Sequence, residues 1–242
     1  MTSFTRAVKD LVIANRILAN LDIVDAFGDI SVRDTSNPAR FLLARSRSPS
    51  AVVLDDILAF SLDGTRVDGK AQTLPTERFI HAAIYEARPD VKAVLHASPE
   101  DILPFGITRT PLRPVIASVG DMGLHVPVWD IADQFGNRTN LQVTTLEQGR
   151  DLARCLGSHR VVLLRGEGFV VTGRTLNDVV RISIYIPRNG RTITAAVPFG
   201  PSIGLAAGEV DARLALDPES NAMRRGWEYW ARQAGCGELL RD

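Results

Sequence analysis

The stretch PTERFIHAAIYEARPDVKAVLHAS, residues 75–98, changes its periodicity once. Phe79, Ile80, Ala83, Ile84 and Ala87 recur at three- and four-residue steps, the stripe of an amphipathic helix. The helix is expected to open near Thr73 to Pro75 and to stop before Pro89, where a proline ring cannot follow the preceding turn. Val91 to Ala97 is then an apolar run of strand length. A helix that feeds at once into a buried strand is the local pattern of a layered α/β domain. The same stretch carries chemistry: Glu77 and His81 sit within one turn of each other, and His96 and Ser98 alternate at the strand's end.

The flanks continue the interleaving. Val8, Leu11, Val12 and Leu18 give a helical stripe over residues 3 to 20. Asp29 to Arg33 alternates and Phe41 to Ala44 is apolar, so two strands joined by the Asn37-Pro38 turn are expected. A helix capped by Thr144 through Glu147 should run to Gly157. Strand-like runs follow at Arg160 to Leu164 and Phe169 to Thr172, on either side of Gly166 and Gly168. Thr175 opens a helix that Pro187 is expected to break, and Asn221 to Ala234 is a last helix rich in aromatics and arginine. No repeat, low-complexity tract or linker divides the chain. The expectation is one domain over 1–242, with its core at about 8–200 and a helical tail at 201–242.

Composition narrows the function. Lys plus Arg and Asp plus Glu both number 28, which gives no basic face for nucleic acid or an anionic membrane. Apolar residues at 45% and charged residues at 23% are ordinary for a globular protein. Cys155 and Cys236 match no metal or redox spacing. The start, MTSFTRAVKDLVIANRIL, interrupts its apolar run with charges and has no small-residue cleavage site, so a cytoplasmic protein is expected.

Several strings, in order, resemble the class II aldolase/adducin superfamily. They include Ala14 to Leu18, Val24 to Gly28 with Ser31 and Arg33, Glu77 to His81, Ala87 to Asp90 and Val94 to His96. Pro104 to Gly106, Val126 to Val128, Leu164 to Gly166 with Gly168, and Tyr185 with Asn189 continue the series. Trp227 to Trp230 is similar to the tail of the pyridine-dicarboxylate decarboxylase-like branch. The resemblance implies a class II aldolase-like domain with a central, mostly antiparallel sheet flanked by helices. It also implies cyclic tetramers with active sites between neighbouring subunits.

Enzymes of that family hold a divalent metal with a His-x-His pair and a third histidine in an Arg-Gly-His-Gly string, while a glutamate moves the proton. Neutral imidazoles suit this role because they hold a borderline cation and leave positions open to polarise a substrate oxygen. Here the metal site is degenerate. His96 is kept, Ser98 stands where the second histidine would be, and Glu167 replaces the third in Arg165-Gly-Glu-Gly168. Glu77 lies at the acid/base position, and Asp29 stands where the decarboxylase branch often has histidine.

Three readings of this set compete. Glu77, His96 and Glu167 hold an altered metal, with His96 and Glu167 as its core ligands; one imidazole and two carboxylates favour Mn²⁺ or Fe²⁺ over Zn²⁺. In the second reading no cofactor is bound, and Glu77 and Glu167 exchange protons while His96, with Ser98 beside it, orients the substrate. In the third, the pocket is inert and the fold serves as a binding or assembly module, as in adducin. Serine is a poor metal ligand, which tilts the balance from the first towards the second.

The substrate also departs from the sugar phosphates. The family's Ser-Ser pair before the glutamate is absent, and the phosphate loop reads Arg45-Ser46-Arg47-Ser48. Arginine forks match planar carboxylates. The expectation is a small-molecule lyase, a decarboxylase or retro-aldol enzyme, acting on a carboxylated, non-phosphorylated substrate. Asp29, Ser31, Arg45, Arg47 and Tyr185 would contact that substrate. An acid/base isomerase or cyclase and a non-haem iron oxygenase are the other enzyme classes the pocket admits.

Overall fold

The computed structural model describes residues 3–67, 69 and 72–241. The helices are α1 (Ser3–Asn20), α2 (Arg78–Ala87), α3 (Leu103–Ile107), α4 (Ala132–Phe135), α5 (Leu146–Leu156), α6 (Leu176–Ala196), α7 (Ala207–Leu214) and α8 (Asn221–Gln233). The strands are β1 (Asp29–Arg33), β2 (Arg40–Ala44), β3 (Ile57–Ser61), β4 (Ala93–Ala97), β5 (Val128–Trp129), β6 (Val161–Leu164) and β7 (Gly168–Gly173). They form one sheet in the order β3-β2-β1-β4-β7-β6-β5, antiparallel throughout except for the β5–β6 pair. No helix among the described residues is long and apolar enough to cross a membrane.

Alternation along the strands sorts the core into two layers. Ile30, Leu42, Leu95, Phe169 and Val171 point to the face covered by α1, α6 and α8. Phe41, Leu43, Val94, Val162 and Val170 point to the other face, covered by α2 and α5. Since side chains two apart share a face, His96 belongs with Val94 on the α2 side. Asp29 and Ser31 join it there, because Asp29 pairs with His96 and Ser31 with Val94 across β1 and β4.

The structure moves three expected boundaries. Helix α2 starts at Arg78, later than Thr73 to Pro75, because Arg78 turns back to donate to the carbonyls of Gly64 and Pro75 and holds the approach non-helical. The cap of α5 is Thr145, one residue after the expected Thr144: its hydroxyl accepts from the Gln148 amide, and the Gln148 side chain returns to the Thr145 amide. Pro187 does not break α6, which runs to Ala196. The proline loses one main-chain hydrogen bond, but Ile184, Ile186, Asn189 and Ile193 are buried around it. Asn189 then clamps the later half, accepting from the amides of Val115 and Ile116 and donating to the Arg113 carbonyl. Several buried isoleucines at about 1.5–3 kcal/mol each outweigh a helix propensity cost of about 3 kcal/mol. Strand β3 has no counterpart among the expected strands.

Candidate active site

Each element end delivers one polar group to the same point. Strand β4 is buried along its whole length and carries His96, 3% exposed, as its last residue but one. Helix α2 begins over that point, with Glu77 as its N-cap residue. The β6–β7 hairpin brings Glu167 from the far side, between Gly166 (φ +73°) and Gly168 (φ +143°). At Gly168 a β-carbon would lie 2.2 Å from the Ala97 carbonyl oxygen, so only glycine lets the hairpin lie against β4. The Arg-Gly-Glu-Gly string is therefore a backbone device for setting Glu167 beside His96.

His96 lies between the two carboxylates. Its Nδ1 is 3.3 Å from Oε2 of Glu77 and its Nε2 is 4.0 Å from Oε1 of Glu167. Those distances allow charge interaction, yet both ring nitrogens lack a hydrogen-bond partner, as do Oε1 of Glu77 and Oε2 of Glu167. Buried polar atoms are ordinarily satisfied, so these four leave donor and acceptor capacity open at one point. Suitable donor atoms of Glu77, His96 and Glu167 lie within 4.8 Å of one another. One imidazole and two carboxylates with free lone pairs fit a divalent cation of the Mn²⁺ or Fe²⁺ type.

Electrostatics separates the roles of these groups. Burial pushes the His96 imidazolium down, but the charges of Glu77, Glu167 and Asp29 outweigh it and hold the ring at about 9. Burial raises Glu77, while the facing His96 overrides this and takes it to about 2. Glu167 goes the other way: burial and the Glu77 charge win over His96 and lift it to about 7. Asp29 is lifted to about 6, chiefly by burial. Three carboxyl groups thus surround one imidazole, one of them firmly ionised and two able to hold a proton nearer neutrality.

Of the residues expected in the site, Glu77, His96, Glu167 and Asp29 converge. Ser98 sits just beyond β4, exposed, and lines a separate groove with Asp25, Phe27 and Arg191. Ser31 is fully buried beneath the centre, bonded through Oγ to Nδ1 of His81 (2.7 Å) and to the Tyr85 hydroxyl (2.9 Å), so it is closed to a substrate. His81 is buried in the same chain, and burial and His96 hold it neutral, at about 3.

Arg45 and Arg47 lie at the same end of the sheet, where β2 runs back beside the start of β1. Both are engaged by Asp56: Arg45 Nε at 2.6 Å from Oδ1 and Arg47 Nη1 at 3.2 Å from Oδ2. The Ser46 amide ties this loop to the Thr73 carbonyl on the approach to α2. Tyr185 is not brought in. It lies on α6, on the opposite face of the sheet, edge-on to Trp230 with its ring centroid 6.3 Å away. The resemblance to a family that builds sites between subunits hid this, because it offers no way to tell which face of the sheet a helix covers.

Known proteins share the sequence pattern and the fold of this chain. Residues 9–192 match the family described as "Class II Aldolase and Adducin N-terminal domain". Decarboxylase tropJ of Talaromyces stipitatus is 27% identical over 253 aligned positions, spanning 96% of this chain and 95% of that protein. A 3,4-dihydroxyphthalate decarboxylase of Arthrobacter keyseri is also 27% identical, over 73% of each chain. Among solved structures, an aldolase II superfamily protein from Pseudomonas syringae superposes with a TM-score of 0.78 over 99% of this chain and 96% of its own, at 18% identity.

Proposed function

The chain belongs to the class II aldolase and adducin family, and on that footing we propose that it is a carbon–carbon lyase decarboxylating a non-phosphorylated carboxylic acid at Glu77, His96 and Glu167. The observation that carries this reading is the convergence of these three side chains with four unsatisfied buried polar atoms. Similarity to proteins named as decarboxylases, the tropJ and 3,4-dihydroxyphthalate enzymes among them, supports the reaction type.

In this proposal the substrate carboxylate enters from the rim that holds Arg45 and Arg47, of which Arg47, 36% exposed, is the more open. His96, charged through Glu77, donates to a substrate oxygen next to the bond that breaks and stabilises the negative charge gathering there. Glu167 passes its proton to the carbon that bears the carboxylate; the carbon–carbon bond then cleaves, carbon dioxide leaves, and the electron pair moves towards the oxygen that His96 faces. Glu167 then regains a proton from water, so the sum is a carboxylate plus a proton giving carbon dioxide and a product with hydrogen in the carboxylate's place. Glu77 remains ionised throughout and holds the imidazole in place. An aromatic acid with a neighbouring hydroxyl is the substrate class that best uses such an acid, since its ring accepts the proton.

A second reading rests on the same unsatisfied atoms: His96, Glu77 and Glu167 would hold a divalent cation, which when bound supplies Lewis-acid polarisation of the substrate oxygen. The two readings separate in one assay. Carbon dioxide release from hydroxylated aryl carboxylates should persist after exhaustive chelation in the first and vanish in the second. No release from any such acid, with or without added Mn²⁺, Fe²⁺ or Zn²⁺, would sink both. Replacing Arg45 and Arg47 together by alanine should raise KM at least fivefold; an unchanged KM would remove them from the substrate site.

A further inference from the structure

On the far face of the sheet from Glu77 and His96, helices α6, α7 and α8 enclose a groove of about 520 Å³. That is the size of an ordinary small-molecule site. Its charge is one-sided. Arg188, Arg213 and Arg225 line it, and among the described residues none of them has a carboxylate partner. A fourth lining arginine, Arg181, is already neutralised by Asp121 and Asp178. Nε of Arg213 is buried with no hydrogen-bond partner.

The walls are aromatic. Tyr185, Tyr229 and Trp230 line the groove, the Arg188 guanidinium lies 5.1 Å over the Tyr185 ring, and the Trp230 indole rests against Gly226. A β-carbon at Gly226 would come within 3.2 Å of the indole, so the glycine lets this wall lie close to α8. Three guanidiniums without counter-ions repel one another, and a ligand with two negative groups would remove that repulsion. Guanidinium edges suit carboxylates, and flat aromatic walls suit a ring.

We propose that this groove is a second ligand site, separate from the Glu–His–Glu centre, that binds a planar aromatic dianion. Its arginines clamp the acidic groups and Tyr185, Tyr229 and Trp230 hold the ring. The site does not depend on the reaction proposed above, since none of its residues touches Glu77, His96 or Glu167.

Phthalate is a suitable probe, followed by titration calorimetry and by the quenching of tryptophan fluorescence at fixed ionic strength. The full chain and the E77Q/E167Q variant should bind it alike, and the R188A/R225A variant at least tenfold more weakly with an unchanged melting temperature. Inorganic phosphate should bind at least tenfold more weakly than phthalate. The proposal is overturned if phthalate fails to bind at millimolar concentration, or if E77Q/E167Q alone abolishes its binding. Equal binding by R188A/R225A, or phosphate binding as tightly as phthalate, would overturn it too.

Discussion

At the scale of single residues, Glu167 is where proton transfer and stability pull in opposite directions. Its carboxyl is lifted from the usual range to about 7. A carboxyl raised on folding favours the folded state while it stays protonated, and that contribution is lost as pH rises through about 7. Glu167→Gln should therefore lower kcat by about 10²–10⁴-fold, the usual worth of a general acid, and yet raise the melting temperature at pH 8. A lower melting temperature at pH 8 would show that the carboxylate is needed for folding.

The rate should follow the same group. If Glu167 delivers the proton, kcat falls as pH rises above about 7, while His96, held at about 9, stays charged until later. A metal held by His96 would give the reverse limb, with activity lost on acidification as protons displace the ion. Ser98, exposed and turned to another groove, should tolerate alanine with less than a threefold change in kcat. That Glu77, His96, Glu167 and Asp29 come together was legible only through the strings that carry the family resemblance. Ser31 was misplaced because a serine reads the same whether its hydroxyl faces solvent or a buried histidine.

At the scale of elements, the site depends on two devices, a hairpin that only glycine permits and an α2 start held by Arg78 on the carbonyls of Gly64 and Pro75. Gly168→Ala forces a β-carbon towards the Ala97 carbonyl in a left-handed conformation, which should cost about 1–3 kcal/mol and drive Glu167 away from His96. Chemical denaturation should show that loss together with a kcat close to that of Glu167→Gln. Thr145→Ala removes a cap remote from the chemistry and should cost about 1 kcal/mol with kcat unchanged. The longer helices and the strands β1, β2, β4, β6 and β7 were legible because periodicity and glycine positions are local, whereas the short elements β3, β5, α3 and α4 carry too few residues to show a period. The continuation of α6 through Pro187 was not, since Asn189, which clamps the later half, accepts from the backbone amides of Val115 and Ile116 some seventy positions away in sequence.

At the scale of the whole molecule, one sheet keeps two sites apart: the Glu–His–Glu centre under α2, and the arginine-lined groove under α6 and α8. Beyond α6 the chain leaves Val197, Phe199 and Ile203 exposed at 69%, 93% and 91%. Such an apolar edge is the kind of surface that association covers. We propose, as the family resemblance implies, four chains per particle by light scattering, and replacing Phe199 and Ile203 together by aspartate should reduce the mass to a single chain. A wild-type mass of one chain would contradict the tetramer.

The proposed decarboxylation requires Glu77, His96 and Glu167 to act together as one centre. Its most direct test is mass-spectrometric detection of carbon dioxide released from carboxyl-labelled hydroxyaryl carboxylates, comparing the wild-type chain with Glu167→Gln. Labelled carbon dioxide from the wild type, reduced at least a hundredfold in the variant, is the predicted result. Equal release from both proteins would contradict the assignment of Glu167, and no release from either would contradict the reaction.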